Sequence, residues 1–300
     1  MRFTPSTEQR ELSASVHALL SNADTPAVIR AWAAGDHGPG LELFARLAKI
    51  GIAELADYPV ELAVVFEELG RHAVPGPLIE SYAVAPALGI AAELATVAVP
   101  PHVPHALDAD VATPFVVSGD ALCRAEVGTR LTSVDPARRL FEVRAGEPIG
   151  DAADVLDIGA LCQAAQLVGL GRGLLEQSAA YVTQRRQFGR AVGEFQAVKH
   201  HLADVLVALE FARPLVHAAA VSGTARDVSA ARVAAADAAY LAARAALQVH
   251  GAVGYTQEHD LSLWLLRVRA LRSAWGTQTW HRRRVLDAVS ARRSRSSADR

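Results

Sequence analysis

The sequence predicts a mostly helical protein with a small β-rich segment in its middle. Three observations lead there. Apolar residues recur at helical spacing in the first third and again from about residue 155 onward. Half of the chain is hydrophobic (51%), with alanine prominent, a composition that suits closely packed helices. Between about residues 93 and 154 the texture changes, as prolines 100, 101, 104, 114 and 136 break helices and short runs of strand formers appear.

Residues 1–92 read as a helical domain. Thr4 to Glu8 supply capping side chains ahead of Leu12, Val16, Leu19 and Leu20, which share one face. Pro26 and the segment from Gly35 to Gly40 interrupt the pattern. A second helix is expected over Leu41 to Ile50, stopping at Gly51, and a third from Val60 to Leu69, stopping at Gly70.

Residues 93–154 read as a small, mostly antiparallel β-domain. Its expected strands are Phe115 to Val117, Leu131 to Val134 and Leu140 to Val143, with Asp135-Pro136 as a turn. Residues 155–290 then read as an antiparallel bundle of four or more helices. The first carries Ala164, Leu167, Val168, Leu170, Leu174, Leu175 and Tyr181 as an apolar stripe. The others are expected from Gly193 to Ala220, from Val228 to Val249, from about His259, and after Gly276 with Thr277 as cap. Residues 291–300, ARRSRSSADR, lack large apolar side chains and are expected to be disordered.

The formal net charge of −2 gives no reason to expect a nucleic-acid partner. Cys123 and Cys162 stand alone and far apart, which points to a reducing compartment and away from a zinc or disulfide framework. Met1 opens into polar sequence without a signal-peptide core, and no uninterrupted apolar run approaches the roughly 20 residues that span a bilayer. A cytoplasmic protein without membrane contact is expected. His200 and His201 are adjacent and point apart on their helix, and His259-Asp260 lacks further ligands, so no metal is expected. Nucleophile-elbow, Walker and Rossmann fingerprints are missing.

Chemistry concentrates in Tyr181 to Asp204, YVTQRRQFGRAVGEFQAVKHHLAD. It reads as helix, glycine corner, helix. A corner with a fixed cation, an amide and an aromatic ring suits a phosphate and a flat heterocycle, and equally a solvated arginine-rich loop. The stretch resembles the flavin-contacting segment of the acyl-CoA dehydrogenase family, in which Tyr, Arg-x-x-Phe-Gly and Phe-Gln follow in order. By that resemblance Arg185, Gln187, Phe188, Phe195 and Gln196 would reach across a subunit interface to the adenosine-diphosphate end of a partner's FAD. The passage Glu67-Glu68-Leu69-Gly70-Arg71-His72 with Pro75-Gly76-Pro77-Leu78 is similar to one between N-terminal helices of bacterial members.

Gln248-Val249-His250-Gly251-Ala252-Val253-Gly254-Tyr255 can be an ordinary helix stop. It also resembles the family's Gln-x-x-Gly-Gly-x-Gly-aromatic motif, which implies flavin contact by Gln248, Gly251 and Ala252. Ala252 departs from the second glycine, and a positive φ there would cost roughly 1 to 2 kcal/mol. Thr256 to Leu261 continue the likeness to actinobacterial members. The β-domain is shorter than in the family and lacks the stretch from Thr-Glu-Pro to Gly-Ser-Asp.

Ser273 to Gln278 match the family passage Tyr-Glu-Gly-Thr, whose glutamate removes the α-proton of the acyl thioester. Trp275 stands at the glutamate's place, and an indole has no basic lone pair. Some relatives carry the glutamate on the bundle's first helix, where counting back from Tyr181 lands near Gly159. Asp157 is the nearest carboxylate, with a helix-start cap as its alternative role, so the base is left unassigned. Gly276 would touch the thioester, and Thr277 and Gln278 the flavin. Arg282 to Arg284 read as a solvated or interface face, or as an aid to a phosphate.

The resemblance implies an acyl-CoA dehydrogenase-like fold with a shortened middle domain. It implies a subunit that completes FAD sites on a glutamate-bearing partner, as in two-gene actinobacterial dehydrogenases, several of which act on sterol-derived thioesters. An α2β2 assembly on an acyl-CoA substrate is the expected form. A homo-oligomeric flavoenzyme with another carboxylate base and a non-enzymatic relic of the fold are the alternatives.

Overall fold

Ser6 opens the first helix through a reciprocal cap, its hydroxyl accepting from Gln9 N while the Gln9 side chain accepts from Ser6 N. The computed structural model describes residues 5–298, with side chains through residue 291. Thr4, expected to help with capping, lies outside them. The N-terminal helices are α1 (Thr7–Ser21), α2 (Thr25–Ala34), α3 (Gly38–Ala48) and α4 (Pro59–Arg71). A π-helical stretch over Glu80–Val84 then leads into the short α5 (Ala85–Ala87).

Two sequence expectations are corrected here. Pro26 begins α2 instead of breaking a helix, because proline in a first turn removes an N–H that has no intrahelical partner. Gly70 lies inside α4 and is a contact residue. A Cβ on it would come within 2.0 Å of the Gln166 carbonyl oxygen, and one on Gly169 within 1.8 Å of the Glu67 carbonyl. These glycines let α4 lie directly on α6 (Leu156–Gln184), the bundle's first helix, which is buried over most of its length.

The middle segment is a five-stranded sheet in the order β1-β3-β4-β5-β2. Its strands are β1 (Ala95–Ala98), β2 (Ala106–Leu107), β3 (Thr113–Ser118), β4 (Ala121–Leu131) and β5 (Leu140–Asp151). β1 runs parallel to β3, and the β3-β4, β4-β5 and β5-β2 pairs are antiparallel. Only Leu131 of the expected strand over Leu131 to Val134 is in a strand, since the alternation that matters starts ten residues earlier in β4.

The C-terminal bundle adds α7 (Gln196–Ser222), α8 (Ala225–His250), α9 (Leu261–Leu271) and α10 (Gln278–Ala298). Alanines 231, 235, 236, 238, 239, 242 and 246 of α8 are buried, which allows the close approach expected from composition. α10 continues through residues 291–298, where disorder was expected, because nothing in that arginine- and serine-rich stretch stops a helix already started. Residues 299 and 300 lie outside the described part. By length and composition α6 and α7 are apolar enough to cross a membrane, contrary to a count of uninterrupted apolar runs. The most apolar window of α6 is 83% buried within the protein, whereas that of α7 is 33% buried.

Charged groups enter the core at Glu67 of α4, which faces α6 and α7, and at Glu80 of the π-helical stretch. Burial alone would raise the Glu67 carboxyl, but His217, Arg213 and Arg172 outweigh it and hold it at about 2. Glu80 is raised to about 7 by burial and so favours its protonated form. A group raised this way gives stability that is complete below its unfolded pKa, near 4.5, and is lost as pH rises toward 7. Half-buried His72 and buried His281, held at about 4 chiefly by desolvation, act in the opposite sense, so the clear signal is a difference between variants. Against the parent protein, Glu80→Gln is expected to gain about 1.4 kcal/mol per pH unit between pH 5 and 7. Urea unfolding at pH 5, 6 and 7 checks this, and parallel curves for the two proteins would contradict it.

Candidate functional site

The corner after α6 is a tight two-stranded hairpin, β6 (Arg186–Gln187) and β7 (Arg190–Ala191). Its central residues, Phe188 (φ +53°) and Gly189 (φ +80°), both have the positive φ that a type I′ turn requires. Glycine takes this conformation freely, but phenylalanine does so against its Cβ. The strained turn thrusts the Phe188 ring outward at 91% exposure. Phe188 meets Phe195 edge to face at 6.2 Å, and the Arg190 guanidinium lies 4.0 Å over the Phe195 ring.

Folding brings this hairpin against the end of α8. Arg185, Gln187, Phe188, Phe195, Gly251 and Ala252 line one cavity of about 400 Å³, together with Tyr181, Val192, His250 and Val253. Two motifs separated by two long helices thus form one wall. Gly251 takes the positive φ of the turn (+61°), and Ala252 is not among the positive-φ residues. Alanine therefore carries no backbone strain at the position where a glycine was expected to matter. Gln196 and Gln248 are exposed on the flanking helices outside the cavity lining.

His250 and Tyr181 are the members that sequence reasoning missed. Their rings stack at 4.2 Å with an interplanar angle of 22°, and His250 Nδ1 lies 2.8 Å from the Ala246 carbonyl. Desolvation lowers the His250 pKa, so the ring is neutral near neutral pH. Nδ1 then donates to that carbonyl and Nε2 keeps its lone pair. The signal was present, since both residues lie within the quoted stretches, but a stacking pair so far apart in sequence leaves no spacing to read. Among the described residues no acid pairs with Arg185, so its cation remains available at the cavity.

The second predicted cluster is elsewhere. Gln278 donates to Asp237 Oδ1 (2.7 Å) on α8, whereas Gln248 is about 16 Å farther along that helix at 1.5 Å per residue. Thr277 caps α10 by accepting from Trp280 N at 3.2 Å. The turn between α9 and α10 is held by the buried Arg232, whose Nη2 donates to the carbonyls of Leu271 (2.8 Å), Arg272 (3.2 Å) and Ala274 (3.1 Å). Burial lowers the Arg232 pKa to about 10, which still leaves it cationic at neutral pH.

Trp275, at φ +52°, is 2% exposed. Its indole lies over Gly159 of α6 so closely that a Cβ there would come within 2.3 Å of the ring. The two positions at which the family resemblance would place a glutamate are therefore occupied by one ring and the space that admits it. The cavity left between Trp275, Glu80, Arg138 and Gln166 is about 20 Å³, too small for an acyl group.

Asp157, the carboxylate nearest Gly159 in sequence, is engaged in an ion pair. Its carboxylate accepts from both terminal nitrogens of Arg284, at 2.5 and 3.0 Å, which ties α6 to α10. Asp157 is not the α6 cap, since the N-cap residue is Val155 and Asp154 accepts from Leu156 N. Arg282 pairs with Asp237, so the arginine run on α10 makes contacts within the bundle and is not simply solvated.

Comparison with known proteins agrees with this geometry. Residues 149–290 match the family described as acyl-CoA dehydrogenase, C-terminal domain. The chain is 33% identical over 293 residues to acyl-CoA dehydrogenase IpdE2 of Mycobacterium tuberculosis, covering 88% of this chain and 92% of that protein. Its fold is similar to a chain of the ChsE4-ChsE5 complex from the same organism, with a TM-score of 0.79, 21% identity, and coverage of 97% and 99% of the two chains. It is also similar to a chain of the Tcur3481-Tcur3483 steroid acyl-CoA dehydrogenase, with a TM-score of 0.78, 19% identity, and coverage of 96% and 99%. The chain belongs to the acyl-CoA dehydrogenase family.

Proposed function

We propose that this chain is the non-catalytic subunit of an FAD-dependent acyl-CoA dehydrogenase, completing the flavin site of a partner that carries the glutamate. The observation that carries this reading is the Trp275 ring seated over Gly159, which leaves neither candidate position able to hold a base. Bound FAD supplies the hydride acceptor for the β-carbon while the partner's base removes the α-proton, giving a trans-2-enoyl-CoA.

This chain's residues do the holding. The cavity beside Arg185 is open, flanked by aromatic faces and edged by a free guanidinium, which fits the adenosine-diphosphate end of a dinucleotide. The Tyr181–His250 stack gives a flat apolar platform for a base, and Gln187 offers both a donor and an acceptor. Among the described residues, no carboxylate lines this wall. The exposed apolar face of α7, with Leu206, Val207, Phe211 and Leu215, and the fully presented Phe188 favour a partner subunit at this boundary. The two-protein complex among the structural neighbours supports the same assembly, and the steroid dehydrogenase among them supports a sterol-derived thioester as substrate.

Co-expression tests the reading. The chain expressed alone is expected to be colourless and poorly soluble, and to become yellow and soluble with a glutamate-bearing homologue. A flavin-loaded, fully active assembly of this chain alone would sink it.

A further inference from the structure

Away from the flavin-facing wall, α1 and α4 bring together His17, Glu68 and His72. One ligand atom from each lies within 4.8 Å of the others, and no second such group of three occurs among the described residues. His72 is the C-cap of α4, four residues after Glu68, and its N–H bonds back to the Glu68 carbonyl, so the two lie on one side of the helix end. His17 Nδ1 faces His72 Nε2 at 2.9 Å and Glu68 Oε2 at 3.4 Å.

We propose that His17, Glu68 and His72 form a binding site for a divalent transition metal of the zinc class, joining α1 to α4. Zinc takes imidazole nitrogen and carboxylate oxygen at about 2.0 to 2.2 Å, so neighbouring ligands in a tetrahedral site stand about 3.3 Å apart. The His17–Glu68 separation already matches, and the two imidazoles need to part by only about 0.4 Å. Each ligand is oriented from behind. Ser21 Oγ lies 3.3 Å from His17 Nε2, which leaves Nδ1 to the metal, and Ser13 Oγ donates to Glu68 Oε1 at 2.9 Å, which leaves Oε2. An adjoining cavity of about 190 Å³, edged by Ser13 and Gln9 and also by Arg10, Arg71, Arg172 and Arg213, has room for water in the fourth position.

Two cations oppose the ion. Arg71 Nη1 lies 3.4 Å from Glu68 Oε2 and Arg172 Nη1 lies 3.8 Å from Glu68 Oε1, although Arg71 Nε also donates to Glu176 at 2.8 Å and Arg172 also pairs with Glu67, which gives each guanidinium a second anchor. Binding is therefore expected in the micromolar range, below the affinity of closed structural zinc sites.

The experiment uses the full chain without an affinity tag, in complex with its partner if solubility requires it. Co²⁺ is titrated while its visible absorption is followed, and Zn²⁺ then competes. Intense bands of a tetrahedral ion, saturating at one equivalent and displaced by Zn²⁺, are expected for the parent protein. His17→Ala should abolish them, and Ser21→Ala should weaken binding about tenfold. The His17 side chain is 36% exposed, so its removal leaves the core packed, and unchanged far-ultraviolet circular dichroism confirms that. No saturable binding below about 1 mM, or binding by His17→Ala equal to the parent, overturns the proposal.

Discussion

Arg185→Ala is expected to weaken FAD retention by the assembled dehydrogenase about ten- to a hundredfold. A guanidinium–phosphate contact is a charge-assisted pair worth about 1.5 to 3 kcal/mol, and each 1.4 kcal/mol is a factor of ten. No acid competes for this cation among the described residues, so its attraction is available to the ligand. The folded chain should hardly notice the change, because the residue is exposed. Flavin content after gel filtration, read from visible absorbance per complex, is the measurement. Full occupancy in the variant, with the complex intact, would remove Arg185 from the cofactor site.

Trp275→Ala should separate the two sites in the opposite way. Removing a ring that is 2% exposed leaves a large void over Gly159 and is expected to cost about 3 to 5 kcal/mol. For a chain of this size that is a drop in Tm of about 10 °C. Trp275→Gly should be about 1 kcal/mol less harmful than the alanine variant, since only glycine accepts φ +52° without strain. Flavin content should match the parent in both variants, because Trp275 does not line the cavity at Arg185. Differential scanning calorimetry beside the absorbance measurement checks both statements. Loss of flavin with an unchanged Tm would reverse the assignment of the two regions.

Much of the architecture was legible because local chemistry and packing agree. The helical ends and the sheet between prolines follow from apolar spacing and helix breakers. What escaped did so for definable reasons. α2 was lost because Pro26 reads as a stop unless the helix is known to begin there. The β6-β7 hairpin was folded into a generic corner, since a two-residue strand has no period to detect. Arg232 sits on an alanine-rich helix and gives no hint that three carbonyls from the turn between α9 and α10 surround it.

The site was half legible. Arg185, Gln187, Phe188, Phe195, Gly251 and Ala252 do converge, while Gln196 and Gln248 stay outside their cavity. The absent side chain of Gly159 and the large one of Trp275 were each noted from sequence, but their relation was not. Only the fold, by packing α6 beside the turn before α10, shows that one exists to admit the other.

That pairing constrains how the chain could change. Any substituent on Gly159 collides with the indole while it remains, and trimming the indole first opens a hole in the core. Placing a carboxylate at residue 159 therefore needs two replacements of which neither alone is tolerated well. Under the proposed function, this packing makes the reliance on a glutamate-bearing partner hard to undo one residue at a time.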